Sequence, residues 1–328
     1  MDDTIRSRAV GCLLGQLSGD ALGSLVEFKT PQQIRQKYPL GVREMHDGGT
    51  WNTIAGQPTD DSEMALALAR SIVANGSYVQ DAARKAYEDW LHSRPFDIGN
   101  TVRDGLDYLP NHESQANGAL MRIAPLGIFG AGLPLQQVGA WAEQDAVISH
   151  PNPVCRQINN LFARAISHAI VTGPTPRELY EAIRVWAKEL GVSPAVQDVI
   201  AAAEHAPPND FTHQQGWVMI AFRNALFQLL SAPSLEEGVV RTIAGGGDTD
   251  TNAAIAGALL GAVHGEAAIP TQWRQSILSC RPEQGRENVH RPRPQIYWPV
   301  DAVELADMLL TAGRHPAVKS QFDEFSEN

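Results

Sequence analysis

Between Arg6 and Leu25 the chain alternates small residues (Ala9, Gly11, Gly15, Ser18, Gly19, Ala21, Gly23) with Val10, Leu13, Leu14, Leu17 and Leu22. The pattern is helical, yet each glycine costs a helix up to about 1 kcal/mol relative to alanine. Several glycines in one helix need a packing reason or a site reason, so this stretch predicts a buried helix that its neighbours approach closely. Asp20 lies in the small-residue face, and Glu27 follows just past its end. Taken alone, Asp20 reads equally as a hydrogen-bonded core acid and Glu27 as a surface residue.

A second stretch, Gly245-Gly246-Gly247-Asp248-Thr249-Asp250-Thr251-Asn252, sets two carboxylates and hydroxyls between three glycines and an apolar run from Ala253 to His264. The glycines permit a sharp loop that presents Asp248 and Asp250 toward one point, an oxygen-rich nest suited to a hard cation. The plainer reading is a tight turn with an Asp or Thr helix cap. A Walker loop would need a lysine after the glycines. An EF-hand starting at Asp248 would need Gly at 253 and Glu at 259, where Ala253 and Leu259 stand. Pro58-Thr59-Asp60-Asp61-Ser62-Glu63-Met64 is of the same chemical kind, adjacent carboxylates beside a hydroxyl at a helix start. Thr59 is the expected N-cap, and Met64, Leu68 and Ile72 form the apolar stripe before Asn75-Gly76. Acids are favoured at a helix N-terminus, but two adjacent Asp exceed what a cap needs.

Elsewhere helical periods run from Val79 to Trp90, Leu135 to Ile148, Gln157 to Val171, Glu178 to Leu190, Pro194 to Ala203, Gly216 to Leu230 and Asp301 to Ala312, with no alternating strand pattern. The expected fold class is therefore all-α. Residues 29–57 read as a long loop, and the Pro- and Arg-rich 281–299 as a surface wrap. Asp97 falls on a turn before a short helix from Thr101. The polar loop Asn111 to Gly118, opening a helix near Ala119, reads as an anion site or as an ordinary interhelical turn. His150 sits between two helices, where a lone histidine is commonly a cap or a packed residue.

No linker, repeat or low-complexity segment divides the 328 residues, so one domain spanning 1–328 is expected. The net charge of −11 without a basic block argues against nucleic acid as a partner. Cys12, Cys155 and Cys280 form no Cys-x-x-Cys pair and suit a reducing cytoplasm. The apolar helices fall short of the roughly 20 residues needed to cross a bilayer, and no signal peptide opens the sequence, so a cytoplasmic protein without membrane contact is expected.

Together Gly19-Asp20-Ala21-Leu22-Gly23 with Glu27, Gly56 to Met64, Asn117 to Pro125, His150-Pro151 and Gly246 to Asn252 resemble, in order, the motifs of the ADP-ribosylglycohydrolase family, the kind that includes dinitrogenase-reductase-activating glycohydrolase. The resemblance implies an orthogonal helical bundle with a binuclear Mg2+ or Mn2+ centre in a cleft, and an ADP-ribosylated protein as substrate with ADP-ribose as product. It implies Thr59, Asp60, Asp61, Asp248, Asp250 and Thr251 as metal ligands, and Glu27 as the mobile glutamate beside them. Asn117, Gly118 and Ser114 match the segment holding the diphosphate and ribose, and His150 matches a substrate-contacting histidine. Gln115-Ala116 departs from the aromatic and glycine of some relatives. Physical reasoning agrees: an oxocarbenium-like state needs activated water and a well-held ribose, which paired metals supply. Glu27, Asp60 and Asp250 are the expected catalytic residues. Asp97 resembles the carboxylate of arginine-type relatives, and a guanidinium is best held by a bidentate carboxylate, so the expected linkage is ADP-ribosyl-arginine rather than ADP-ribosyl-serine. The competing readings are a non-catalytic ADP-ribose-binding member and a metal phosphohydrolase acting on another nucleotide.

Overall fold

The computed structural model describes residues 2–314, in which fifteen α-helices and two short 3-10 helices appear and no strand. The N-terminal half holds α1 (Asp3–Gly23), α2 (Pro31–Lys37), α3 (Asp60–Asn75), α4 (Gln80–His92), α5 (Asn100–Asp107), α6 (Ala124–Phe129) and α7 (Leu135–Val147). The remainder holds α8 (Pro153–Thr172), α9 (Pro176–Glu189), α10 (Pro194–Ala203), α11 (Val218–Ser231), α12 (Leu235–Ala244), α13 (Thr249–His264), α14 (Thr271–Ser279) and α15 (Ala302–Arg314). No helix among the described residues is long and apolar enough to cross a membrane.

The small-residue face of α1 has the role its glycines demanded. It lies antiparallel against α13, with Gly11, Gly15, Gly19 and Gly23 stepping down the backbone of Gly261, Gly257, Ala253 and Asp250. A Cβ on Gly15 would stand 2.2 Å from the Gly257 carbonyl oxygen, and one on Gly19 2.0 Å from that of Ala253. Real carbon–oxygen contacts need more than 3 Å, so only glycine lets the two backbones meet here. Both helices are buried nearly all round, from Ala9 to Gly23 and from Thr249 to Ala262. Helices apolar on every face belong to the centre of a large core.

Several expected boundaries shift, each for a local reason. α13 begins one turn earlier than the apolar run, so Asp250 and Thr251 are already helical and Asp248 holds the N-cap position. α8 starts at Pro153 under the Asn152 side chain, which accepts the Val154 N–H at 3.0 Å. Residues 29–57 are not wholly loop: Thr30 and Gln33 form a capping box that starts α2. The helix expected from Ala119 begins instead at Ala124, after turns that continue through Arg122. Within the Pro- and Arg-rich 281–299 most residues are exposed, but Arg293 is buried, its guanidinium gripping both oxygens of Glu63 at 2.7 to 3.0 Å. All three cysteines are buried and free.

Candidate active site

Because α1 and α13 run antiparallel, the end of the first meets the start of the second, and the start of α3 packs there too. Asp20 is fully buried and accepts the Thr59 N–H at 3.1 Å, the Thr59 hydroxyl at 2.8 Å and the Ser62 N–H at 3.1 Å. Thr59 thus occupies the N-cap position of α3 but makes no cap bond with its side chain, contrary to the expected cap; the hydroxyl is committed to Asp20 and lies 3.1 Å from Asp61 Oδ2. Of the three acids in the first turn of α3, Asp61 points to this interior group, Asp60 accepts the Gly99 N–H at 3.2 Å, and Glu63 turns away to Arg293 and Trp90.

Gly246 and Gly247 adopt φ of +74° and +72°, the left-handed turn expected of the glycine run. Reciprocal bonds pair Gly247 with the turn at Phe28, Phe28 N–H to Gly247 O at 2.8 Å and Gly247 N–H to Lys29 O at 3.0 Å. This loop pairing draws Glu27 toward Asp248. The Trp51 indole donates to Glu27 Oε2 at 2.5 Å, and the Asn117 amide donates to Asp248 Oδ2 at 2.7 Å. The carboxylates form two groups, Asp20 with Asp61 and Asp250, and Glu27 with Asp248 and Asp250, each with oxygens within 4.8 Å of one another. Asp250 belongs to both. Asp60 stands outside them, on the wall beside Asp97.

So many buried acids disfavour one another's charge. Burial first, then the neighbouring carboxylates, pushes Glu27 up to about 8, Asp60 to about 7 and Asp97 to about 11. Burial likewise lifts Asp20 to about 6, against the bonds it accepts from Thr59 and Ser62, and holds Asp61 and Asp250 well above the carboxylate range. Asp61 Oδ1 and Asp250 Oδ2 are buried and have no hydrogen-bond partner among the described residues. Orphaned carboxylate oxygens facing like charges, with hydroxyls nearby, fit a hard divalent cation held by oxygen ligands.

Glu27, Asp248 and Asp250 lie on the wall of a cavity of about 370 Å³, with Asp20 and Asp61 behind them. Glu27, Asp60, Asp97, Asn117, Gly118, His150, Asp248, Asp250 and Thr251 all line it, whereas Asp61 and Thr59 lie behind the wall. Ser114 does not line it: its hydroxyl shares a 2.8 Å bond with Thr101, which does. Asp97 is not the cap of α5, whose N-cap is Gly99 without a side-chain bond. A Cβ on Gly118 would sit 3.0 Å from His150 Cε1 and 2.7 Å from Val102 Cγ2, so glycine there leaves the imidazole edge open to the cavity. Gln115 accepts a bond from the Trp217 indole at 2.9 Å, so an aromatic ring reaches this rim from the facing loop.

The state of His150 follows from its partners. Arg122 Nη1 donates to Ser149 Oγ at 2.8 Å, so the serine hydrogen is free to go to His150 Nδ1, also at 2.8 Å. The imidazole proton is then on Nε2, which is buried, lacks a partner among the described residues and faces the cavity. Burial and then the Arg122 cation push His150 down to about 3, so it is a neutral donor at physiological pH. Trp51, Ser149, Gln215 and Gly216 are absent from the residues expected at this site, and Arg122 lies inside the expected Asn117–Pro125 motif without an assigned role. Asp20 and Ser62 lie inside expected motifs without an assigned role.

A sequence profile of the ADP-ribosylglycohydrolase family matches residues 1–313. The chain belongs to the ADP-ribosylglycohydrolase family. It is 31% identical over 284 residues to an ADP-ribosyl-[dinitrogen reductase] glycohydrolase of Rhodospirillum rubrum, covering 84% of this chain and 91% of that one. It is 27% identical to the ADP-ribosylarginine hydrolase Tri1 of Pseudomonas putida, over 82% of this chain and 74% of that protein. A solved structure described as an ADP-ribosylglycohydrolase-related protein complex superposes with a TM-score of 0.77 at 25% identity, covering 95% of this chain and 99% of the other. The family consists of metal-dependent hydrolases acting on ADP-ribosyl groups, and the buried acidic groups are compatible with metal binding.

Proposed function

We propose that this ADP-ribosylglycohydrolase uses two divalent cations, Mg2+ or Mn2+, to cleave the N-glycosidic bond of ADP-ribosyl-arginine on modified proteins. The observation that carries the reading is the pair of buried carboxylate groups joined by Asp250, one lining the cavity and the other directly behind it. Asp61, Asp248 and Asp250 would hold the cations, with Thr59, Thr251 and Asp60 at their edges, and Asp20 fixes the Thr59 hydroxyl. When bound, the cations supply positive charge that polarises substrate oxygens and acidifies water.

The residues of this chain do the rest. His150 Nε2–H donates to the phosphate or ribose oxygens seated over Gly118, and Asn117 stays fixed on Asp248 while its backbone turn shapes the same wall. Glu27, held by Trp51 and ionised once bound cations offset the neighbouring acids, would take a proton from the water that attacks the anomeric carbon and pass it to the guanidine nitrogen as that bond breaks. Asp97 has no cationic partner among the described residues, and burial among acids keeps it protonated until one arrives. An arginine guanidinium entering beside it restores its charge and forms a forked pair. The activity for which the Pseudomonas putida relative is named supports the same linkage.

Hydrolysis of defined Arg-linked and Ser-linked ADP-ribosyl peptides, with Mn2+, Mg2+ or chelator, tests the reading. Release of ADP-ribose from the Arg-linked peptide alone, abolished by chelator, is expected. Faster Ser-linked cleavage would overturn the linkage, and tight ADP-ribose binding without hydrolysis of either peptide would overturn the enzyme.

A further inference from the structure

Away from the acidic centre, α7 and α8 with Gln80 and Leu190 form an open cavity of about 520 Å³ whose chemistry is of the opposite sign. Arg156, Asn160 and Arg164 occur four residues apart on α8, so they form one stripe facing it. Arg164 is only 6% exposed and makes no hydrogen bond or salt bridge among the described residues. Arg156 is paired with Glu143 at 2.9 Å, leaving its Nε unsatisfied, and Asn160 donates to the same glutamate at 2.7 Å, leaving its Oδ1 unsatisfied. Buried guanidinium groups are normally paired, because an uncompensated buried charge is costly. The facing helix makes room for this arrangement: a Cβ on Gly139 would stand 2.4 Å from Asn160 Oδ1 and 2.5 Å from Arg164 Nε.

We propose that this cavity is a binding site for a small oxyanion, a carboxylate or a phosphate, held by the guanidinium of Arg164 with Arg156 and Asn160. Glu143 is engaged by Arg156 and Asn160, and Glu189 acts on Arg164 only from a distance, so neither acid bonds to the Arg164 guanidinium and its donors are left for a ligand. The planar fork of arginine suits two oxygens of one group, and the free Asn160 Oδ1 accepts from a ligand that carries a hydroxyl or ammonium hydrogen. Ala140, Val147 and Leu190 share the remaining wall with Gln80, Gln136 and Gln144, so it is of mixed polarity. Burial as the main cause holds the Arg164 guanidinium below its usual value, against the opposing pull of Glu143 and Glu189.

The test uses the full chain with Mg2+ and saturating ADP-ribose, so that the acidic centre is filled, and follows thermal melting against sodium phosphate or sodium acetate at constant ionic strength set with chloride. A saturable rise in melting temperature with at least one of the two anions is expected, with the apparent dissociation constant weakened at least tenfold in Arg164→Gln. Arg156, whose side chain is 42% exposed, is the safer second site, and Arg156→Gln should weaken the same response without loss of fold. In chloride alone Arg164→Gln should melt no lower than wild type, since an unpaired charge has been removed. No saturable response in wild type, equal responses in wild type and both variants, or a marked loss of stability of Arg164→Gln in chloride would each overturn the site.

Discussion

Gly19→Ala places a methyl group 2.0 Å from the Ala253 carbonyl oxygen, with backbone on both sides and no side chain able to rotate away. To restore ordinary contact the two helices must part by about 1 Å at that level, because packed interiors have no slack of that size. Overpacking of this kind costs roughly 1–3 kcal/mol, and the upper end applies where backbone meets backbone. Alanine returns about 1 kcal/mol of helix propensity. The net loss is therefore about 2 kcal/mol, read as a lower urea midpoint at unchanged m-value. The displacement falls next to Asp20 and one turn from Asp250, so activity should fall further than stability, by as much as 100-fold for a 1 Å misplacement. Gly11→Ala is the control: its methyl would lie 2.6 Å from the Gly261 carbonyl oxygen, at the other end of the seam and about 14 Å of helix from Asp20. It should lose comparable stability and much less activity. A Gly19→Ala protein with wild-type midpoint and wild-type turnover of an ADP-ribosyl-arginine peptide would refute the argument that the seam sets the site.

Asp250→Ala should abolish turnover and Mn2+ binding by calorimetry, because Asp250 joins both carboxylate groups, while the metal-free protein melts no lower than wild type once one repelling acid is gone. Metal-free protein should lose stability between pH 6.5 and 8.5. Glu27 and Asp60, raised to about 8 and 7 from 4.5 and 3.8, contribute stability below the unfolded values that is lost as pH rises through the folded ones. His150, lowered to about 3, acts oppositely but only below its unfolded value of 6.5. Glu27 alone accounts for about 2 kcal/mol over that interval, and the stabilisation by Mn2+ should grow with pH; a flat melting profile of chelator-treated protein would contradict this. Asp97→Asn should slow Arg-linked hydrolysis by roughly 1.5–3 kcal/mol, the value of a charged hydrogen bond, with ADP-ribose affinity unchanged and melting temperature no lower; a wild-type rate removes Asp97 from leaving-group recognition.

What was legible in the sequence was local. Two glycines with left-handed φ, adjacent aspartates at helix starts and a small-residue face all announce themselves within a few residues, and each is found where the pattern placed it. The groups that orient those acids were not legible, since they arrive from far along the chain. Trp51 reaches Glu27 across an irregular segment, Arg293 reaches Glu63 from 230 positions away, and Arg122 fixes His150 through Ser149. No periodicity signals a single side chain crossing a core. Thr30-Pro31-Gln32-Gln33 did carry a helix-start signature, but the glycines at 41, 48, 49 and 56 give the surrounding segment the look of continuous loop.

The small-residue helix and the acidic motifs, which look like separate features of the sequence, are one device in the fold. An antiparallel seam too close for any side chain fixes the height of α1 against α13, and with it the height of Asp20 against Asp250. Asp20 in turn accepts from the backbone and hydroxyl of Thr59 and the backbone of Ser62, so it clamps the first turn of α3 at the same level and brings Asp61 to the group. Asp20 is therefore better described as the link between seam and site than as an ordinary core acid. Glycine's cost in helix propensity is offset by positional precision: three helix ends converge on carboxylates whose mutual repulsion would otherwise drive them apart.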